Sequence, residues 1–207
     1  MHYINLATLQ YPVTEQDIRQ AYPDTAFGVP FLPDGYTLVS SAPQPAYDPI
    51  TQSVREITPV VVATGNYEQR FEVVELYPTQ AEKDAAIAVN LALAKATKWE
   101  AIKASRDERK NGGALVGTKW FHTDADSRIQ QLGLVLMGAG VPTVQWKTMD
   151  GTFAAMTPAL AGQIFQAVAA LDMALFANAE AHRAAMEASA TPATYDFSTG
   201  WPEHFPI

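Results

Sequence analysis

Thr79 and Glu82 stand at the spacing of a capping box, in which the threonine hydroxyl accepts the N3 amide and the glutamate reaches back to the cap amide, so a helix begins there. Nothing breaks it until Asn111-Gly112-Gly113. A helix of that length is more than one small domain can cover. It either crosses the surface between two halves of the chain or pairs with copies of itself. Ala85, Val89, Ala92, Ala96 and Trp99 recur at four- and three-residue steps, a heptad-like seam whose alanines permit close helix approach. Val89, Ala92, Ala96 and Trp99 are therefore candidate interaction residues.

The chain on either side of this helix reads differently. Residues 1–77 are proline-rich and mostly extended, with one short helix that Thr14 caps, that carries Ile18 and that Pro23 stops. Pro33-Asp34-Gly35 and the Pro43 to Pro49 stretch are turns, with a strand from Tyr36 to Ser40 between them. Ser53 to Val62 and Tyr67 to Leu76, separated by Thr64-Gly65-Asn66, predict an antiparallel pair.

After the glycines, Ala114-Leu115-Val116 and Lys119-Trp120-Phe121-His122 flank Gly117-Thr118, a second tight hairpin. Thr123 or Asp124 caps a helix whose expected buried face is Ile129, Leu132, Leu136 and Met137, and which Gly138-Ala139-Gly140 ends. Asp150-Gly151 predicts a type I′ hairpin in which Met149 pairs with Thr152. That register puts Val144, Trp146, Thr148, Phe153 and Ala155 on one apolar side, and allows the first ribbon to extend the second. Thr157-Pro158 then starts a helix with a stripe at Leu160, Ile164, Val168, Leu171, Leu175, His182 and Met186 that covers the ribbon.

The expected fold is α+β: a small β-rich domain over 1–77, a connecting or oligomerising helix over 78–111, an α+β domain over 112–190 and an extended arm over 191–207. The arm carries Tyr195, Phe197 and Trp201 between prolines and is too apolar to lie wholly in water, so these three are also candidate interaction residues.

Composition excludes several functions. With 14 Lys and Arg against 22 Asp and Glu, the net charge is −8, which argues against a nucleic-acid partner. No cysteine is present, so thiolate catalysis, disulfides and cysteine-ligated zinc are ruled out. The N-terminus lacks the basic lead and apolar run of a signal peptide, and the most apolar window, Pro158 to Phe176, is interrupted by Gly162, Gln163, Gln166 and Asp172. No membrane span is expected.

Candidate chemistry is sparse. His2, His122, His182 and His204 are scattered, without the i, i+4 pair of a zinc hydrolase. Asp124-Ala125-Asp126 opens like a calcium loop, but Arg128 and Ile129 stand where a ligand and the loop glycine belong. Asp107, Glu108 and Glu187 are the carboxylates from which a glycoside-cleaving pair could be drawn, and all fall on polar helix faces. Arg106 and Arg109 suit a salt bridge or cap at a helix C-terminus. Neither a catalytic site, a metal nor a cofactor is expected.

The run from Lys98 to Arg109 with Gly112-Gly113, then Trp120-Phe121-His122-Thr123-Asp124, then Trp146 to Phe153, resembles a domain of unknown function found in tail proteins of tailed bacteriophages. Asp17-Ile18-Arg19, Pro23, the Tyr36 strand and Tyr67 to Phe71 are similar to the N-terminal region of phage tail-fibre and fibre-assembly proteins. The resemblance implies a virion part at the tail fibre or baseplate, or else a chaperone that helps a trimeric fibre fold in the host cytoplasm. It also makes a homotrimer the favoured assembly. A cell-surface glycan hydrolase is the remaining alternative.

Overall fold

The computed structural model describes residues 2–31, 33–63, 65–140 and 142–206. The chain is α+β and divides into two compact units, Met1–Asn90 and Leu91–Ile207. The division falls within a helix.

In the first unit, strands β1 (Tyr3–Asn5), β2 (Tyr36–Ser40), β3 (Gln52–Ala63) and β4 (Asn66–Glu75) form one sheet in the order β1-β2-β4-β3, and helix α1 (Glu15–Ala21) lies between β1 and β2 in sequence. β3 and β4 are antiparallel as expected, with Ser53 opposite Val74, while β2 meets β4 in parallel. The β3–β4 register shifts between Ile57 and Val60, around Pro59, which has no N–H to give a ladder. Thr64, in the expected turn, lies outside the described residues; Gly65 beside it has φ 81°. Thr14 caps α1 in a capping box with Asp17, and Ile18 packs with Tyr3 and Val13 under Phe27, Phe31 and Tyr36.

Helix α2 (Gln80–Arg109) runs continuously through the division. Its capping box forms: Thr79 Oγ1 accepts the Glu82 amide at 3.3 Å, and the Glu82 carboxylate accepts the Thr79 amide at 3.0 Å. The second unit continues with β5 (Ala114–Val116), β6 (Lys119–Phe121), α3 (Ala125–Met137), β7 (Val144–Lys147), β8 (Phe153–Met156) and α4 (Pro158–Ala188). Val116 pairs with Lys119, so Gly117-Thr118 makes the tight turn predicted for it.

Three expectations are corrected. First, the register of the Trp146 hairpin is one residue away from that predicted: Trp146 faces Ala154 and Lys147 faces Phe153. The Gly151 amide bonds the Thr148 carbonyl at 3.0 Å and the Thr148 amide bonds the Thr152 carbonyl at 2.9 Å. The loop is thus three residues, Met149-Asp150-Gly151, with Gly151 at φ 79° as the left-handed residue of a bulge rather than half of a type I′ turn. Since strand side chains alternate, the slip sends Phe153 and Ala155 to the solvent side and brings Met156 and Ala154 to the Trp146 side.

Second, the two ribbons stay separate two-stranded ladders. They are joined by a backbone bond from the Met149 amide to the Trp120 carbonyl, 3.0 Å. Close approach there depends on Gly113, where φ is 89° and a Cβ would stand 2.2 Å from the Met149 sulfur.

Third, α3 presents the opposite face to the core. Gln131 and Leu134 are buried and Val135 packs beside them, whereas Ile129 and Leu136 are 67% and 77% exposed, and Leu132 and Met137 are exposed with them. Polar tethers set this rotation: Gln131 Nε2 donates to the His122 carbonyl at 3.0 Å, and Arg128 Nη1 reaches Asp172 on α4 at 2.7 Å. Asp124 is the N-cap, its carboxylate accepting the Ser127 amide at 2.9 Å. Thr123, the other cap candidate, is buried instead beside the end of α2, where its hydroxyl donates to the Lys110 carbonyl at 2.7 Å and accepts the Gly113 amide at 3.0 Å.

α4 supplies the core of this unit. Thr157 caps it with Pro158 in its first turn, and Ala161, Ile164 and Val168 meet Ala114, Phe121, Leu134 and Met156, with Trp146 and Leu160 at the edge. Farther along, Ala179 and Met186 pack with Ile102 of α2 in a second cluster. By length and composition alone α4 is apolar enough to cross a bilayer, with mean hydropathy 1.5. Asp172 within it is ion-paired to Arg128; of the predicted stripe Ile164, Val168, Leu175 and Met186 are buried, joined by Ala161 and Ala179, while Leu160, Leu171 and His182 are half-buried.

Candidate interaction surface

The candidate interaction residues separate into two sets. Val89, Ala92 and Ala96 are exposed on α2, Val89 at 69%. Trp99 lies one step farther along the seam but is half-buried over Ile102, with the Arg183 guanidinium 5.0 Å and the Lys103 ammonium 5.7 Å from its ring centre. The exposed seam therefore ends at Ala96.

Tyr195, Phe197 and Trp201 join Trp99 rather than standing free. The arm folds back over the second cluster, so these rings cover Ile102, Ala179 and Met186. His182 is the fastening. Its Nε2 lies 2.9 Å from the Thr199 carbonyl, which can only accept, so Nε2 carries a proton, and in the neutral ring Nδ1 then accepts from the Tyr195 hydroxyl at 3.0 Å. The Trp201 indole N–H donates to the Phe197 carbonyl at 2.6 Å, and the Phe205 amide to the Gly112 carbonyl at 2.8 Å.

The residues around Val89 add a feature that heptad counting missed. From Ala85 to Ala94 the sequence Ala-Ala-Ile-Ala-Val-Asn-Leu-Ala-Leu-Ala carries no charge, and Ile87, Leu91 and Leu93 are exposed along with Val89. Counting unbroken uncharged residues, rather than one stripe, would have found it. A helix that is apolar all round belongs in an interior. Here most of it is exposed, with only Ala86 and Ala94 half-buried. The stretch is bounded by Glu82, Lys83 and Asp84 on one side and by Lys95 and Lys98 on the other. Lys83 is engaged by Glu75 at 2.8 Å.

Most of the side chains that could carry chemistry have other engagements, while Glu108 lines an open pocket with Arg109, Asn111 and His204. Asp107 takes the Arg106 guanidinium at 2.8 Å, and that cation holds its carboxyl below the usual range. Arg106 also lies 4.5 Å from the centre of the Phe176 ring. Glu187 accepts Arg183 Nε at 3.0 Å. Arg109 bonds Ser105 Oγ at 3.3 Å and stacks 5.2 Å over Trp201, on the floor of an open cleft of about 470 Å³ whose walls include Trp120, Glu203 and His204. Among the described residues no group of His, Asp and Glu is clustered to hold a metal ion. Asp150 is the most perturbed acid: hydrogen bonds from the Thr148 and Thr152 hydroxyls, the Thr152 amide and the Lys119 ammonium hold its carboxyl far below the usual range, which is a hairpin-loop role.

The second unit is thus an α+β domain whose helices α2 and α4 share one cluster and whose outer helical faces are apolar. Residues 93–199 match the family described as Domain of unknown function (DUF4376), and the chain belongs to it. No curated protein and no solved structure matches the chain.

Proposed function

We propose that the protein is a non-enzymatic structural and interaction component of a bacteriophage tail, working at the tail fibre or the baseplate and carried in the virion. The observation that supports this reading is the uncharged stretch of α2 exposed around Val89, an apolar surface with the length and form of a helix-docking site. The tryptophan-bearing blocks at Trp99, Trp120 and Trp146, which resemble those of phage tail proteins, supply the setting. Two of the three carboxylates named for glycan hydrolysis favour the same reading, since Asp107 and Glu187 are tied to arginines.

Mass spectrometry of purified particles tests it. The protein is expected in the virion at a fixed ratio to the fibre, and Val89→Glu is expected to lower its incorporation. Absence from particles, together with a higher yield of soluble fibre trimer on co-expression, would establish the chaperone reading in its place. Absence with no effect on the fibre would sink both.

A further inference from the structure

We infer that the cleft over Arg109 binds a sugar ring that carries a carboxylate, a unit of an acidic glycan. The cleft lies within the second unit, is separate from the Val89 stretch and does not depend on the tail reading.

Arg109 is the anchor. Of the half-buried arginines, Arg106 has Asp107 at 2.8 Å and Arg128 has Asp172 at 2.7 Å, whereas Arg109 has no carboxylate partner among the described residues. A guanidinium drawn partly out of water without a counter-charge is a costly arrangement that an anionic ligand relieves. Only its Nε is engaged, by Ser105 Oγ at 3.3 Å. The Trp201 ring, its centre 5.2 Å from the guanidinium carbon, fixes the plane of the group. With the Nε edge taken and one face stacked, the Nη1/Nη2 edge remains, two parallel donors matched to the two oxygens of a carboxylate. The volume, about 470 Å³, falls within the roughly 300–1,000 Å³ of small-ligand sites.

The surroundings of Arg109 define what the carboxylate is attached to. Trp120 lines the cleft, with the Phe205 ring packed edge-on 6.3 Å away, and offers apolar surface to the C–H face of a sugar ring. Ser198, Thr199, Glu203 and His204 stand around it as partners for ring hydroxyls. His204 Nδ1 lies 2.9 Å from the Phe205 carbonyl and so carries a proton, which in the neutral ring leaves Nε2 as a further acceptor. An apolar acid would displace water from these groups without replacing its hydrogen bonds. Charge narrows the choice again. Glu108 and Glu203 both border Arg109, so a phosphate, at about −2, is repelled about twice as strongly as a carboxylate. The walls are built before any ligand arrives: the Phe205 amide holds the Gly112 carbonyl at 2.8 Å, and a Cβ at Gly112 would stand 2.9 Å from that of His204, so glycine lets the arm lie against the end of α2.

A single ring binds weakly, so the test is a titration followed by NMR of the isotope-labelled full chain, whose four tryptophans give four indole N–H signals. The probes are the methyl glycosides of glucuronic and galacturonic acid, and those of glucose and galactose, which carry CH2OH in place of the carboxylate. At least one acidic glycoside is expected to shift the Trp120 and Trp201 signals saturably and leave that of Trp146 in place, with its neutral counterpart about tenfold weaker or more. Arg109→Lys keeps the charge but lacks the paired donors, and should weaken the acidic glycoside about tenfold while the Trp201 signal of the free protein stays in place. Equal binding of acidic and neutral sugars, or unchanged affinity in Arg109→Lys, would overturn the contact with Arg109. Acetate or inorganic phosphate binding as tightly as the acidic glycoside would overturn the sugar. No saturable shift with any probe would overturn the site.

Discussion

Replacing Arg128 by methionine should cost the second unit about 3 kcal/mol. The guanidinium donates to both oxygens of Asp172 on α4, at 2.7 and 3.2 Å, to the Lys110 carbonyl past the end of α2, at 2.9 Å, and to the Thr123 carbonyl ahead of α3. One side chain thus ties three helices. A hydrogen bond to a charged group contributes about 1.5–3 kcal/mol when buried. Arg128 and Asp172 are 24% and 28% exposed, so solvent screens them and the low end applies. Part of the loss is recovered, since Lys110 still accepts the Thr123 hydroxyl. What remains is chiefly the Asp172 carboxylate left without its partner, hence roughly 3 kcal/mol rather than the sum of the bonds. Asp172→Leu on its own should cost less, and the double variant Arg128→Met/Asp172→Leu should be more stable than Arg128→Met alone, with a coupling of about 1–2 kcal/mol. Urea denaturation at neutral pH, followed by tryptophan fluorescence, reads these differences as shifts in midpoint. A loss under 0.5 kcal/mol for Arg128→Met, or strict additivity in the double variant, would refute the clamp and leave the rotation of α3 unexplained.

Trp146→Ala should cost about 2–3 kcal/mol, less than a fully enclosed tryptophan, because the ring packs at the edge of the core beside Ala154; a neutral result in urea would place it outside that core. Asp150 titrates far below the 3.8 of a free aspartate, so its contribution is fully present above about pH 4 and is lost as pH falls below that value. Asp150→Asn should therefore flatten the acid limb of a stability-against-pH curve, and an unchanged limb would contradict the loop hydrogen bonds. His182→Ala should loosen the arm, seen as faster amide exchange over 195–201 with the protection of β5 and β6 unchanged. Chelators should leave the melting temperature where it is, and a fall of many degrees in EDTA would reveal a metal.

Helix ends were legible in the sequence because capping is a local interaction. Thr79 with Glu82, Thr157 with Pro158, and Asp124 each needed only residues within one turn. The α4 stripe was legible because its period is sustained over many turns. The Trp146 register was not, because Asp-Gly serves both a type I′ turn and a three-residue loop with a glycine bulge; the choice falls to the Thr148–Thr152 pairing and the Met149 bond to Trp120. The buried face of α3 was misread for a different reason. Its most apolar stripe faces outward, and partners distant in sequence, Asp172 for Arg128 and His122 for Gln131, turn the polar side inward. Of the candidate surface, Val89, Ala92 and Ala96 were found by counting heptads, while Trp99 continued the count but belongs to a cluster closed by residues about a hundred positions later.

That closure has a consequence for how the chain is made. Ile102 and Trp99 are synthesised long before Trp201, whose ring helps to cover them. At about 5–20 residues per second, roughly 5 to 20 s pass between the two on the ribosome. For that interval the far half of α2 is a nascent helix with its apolar side uncovered, and the cluster cannot be complete until the arm has emerged and His182 has fastened it. Slowing elongation across the codons for 190–200 should therefore lengthen the life of a protease-sensitive intermediate without altering the finished protein.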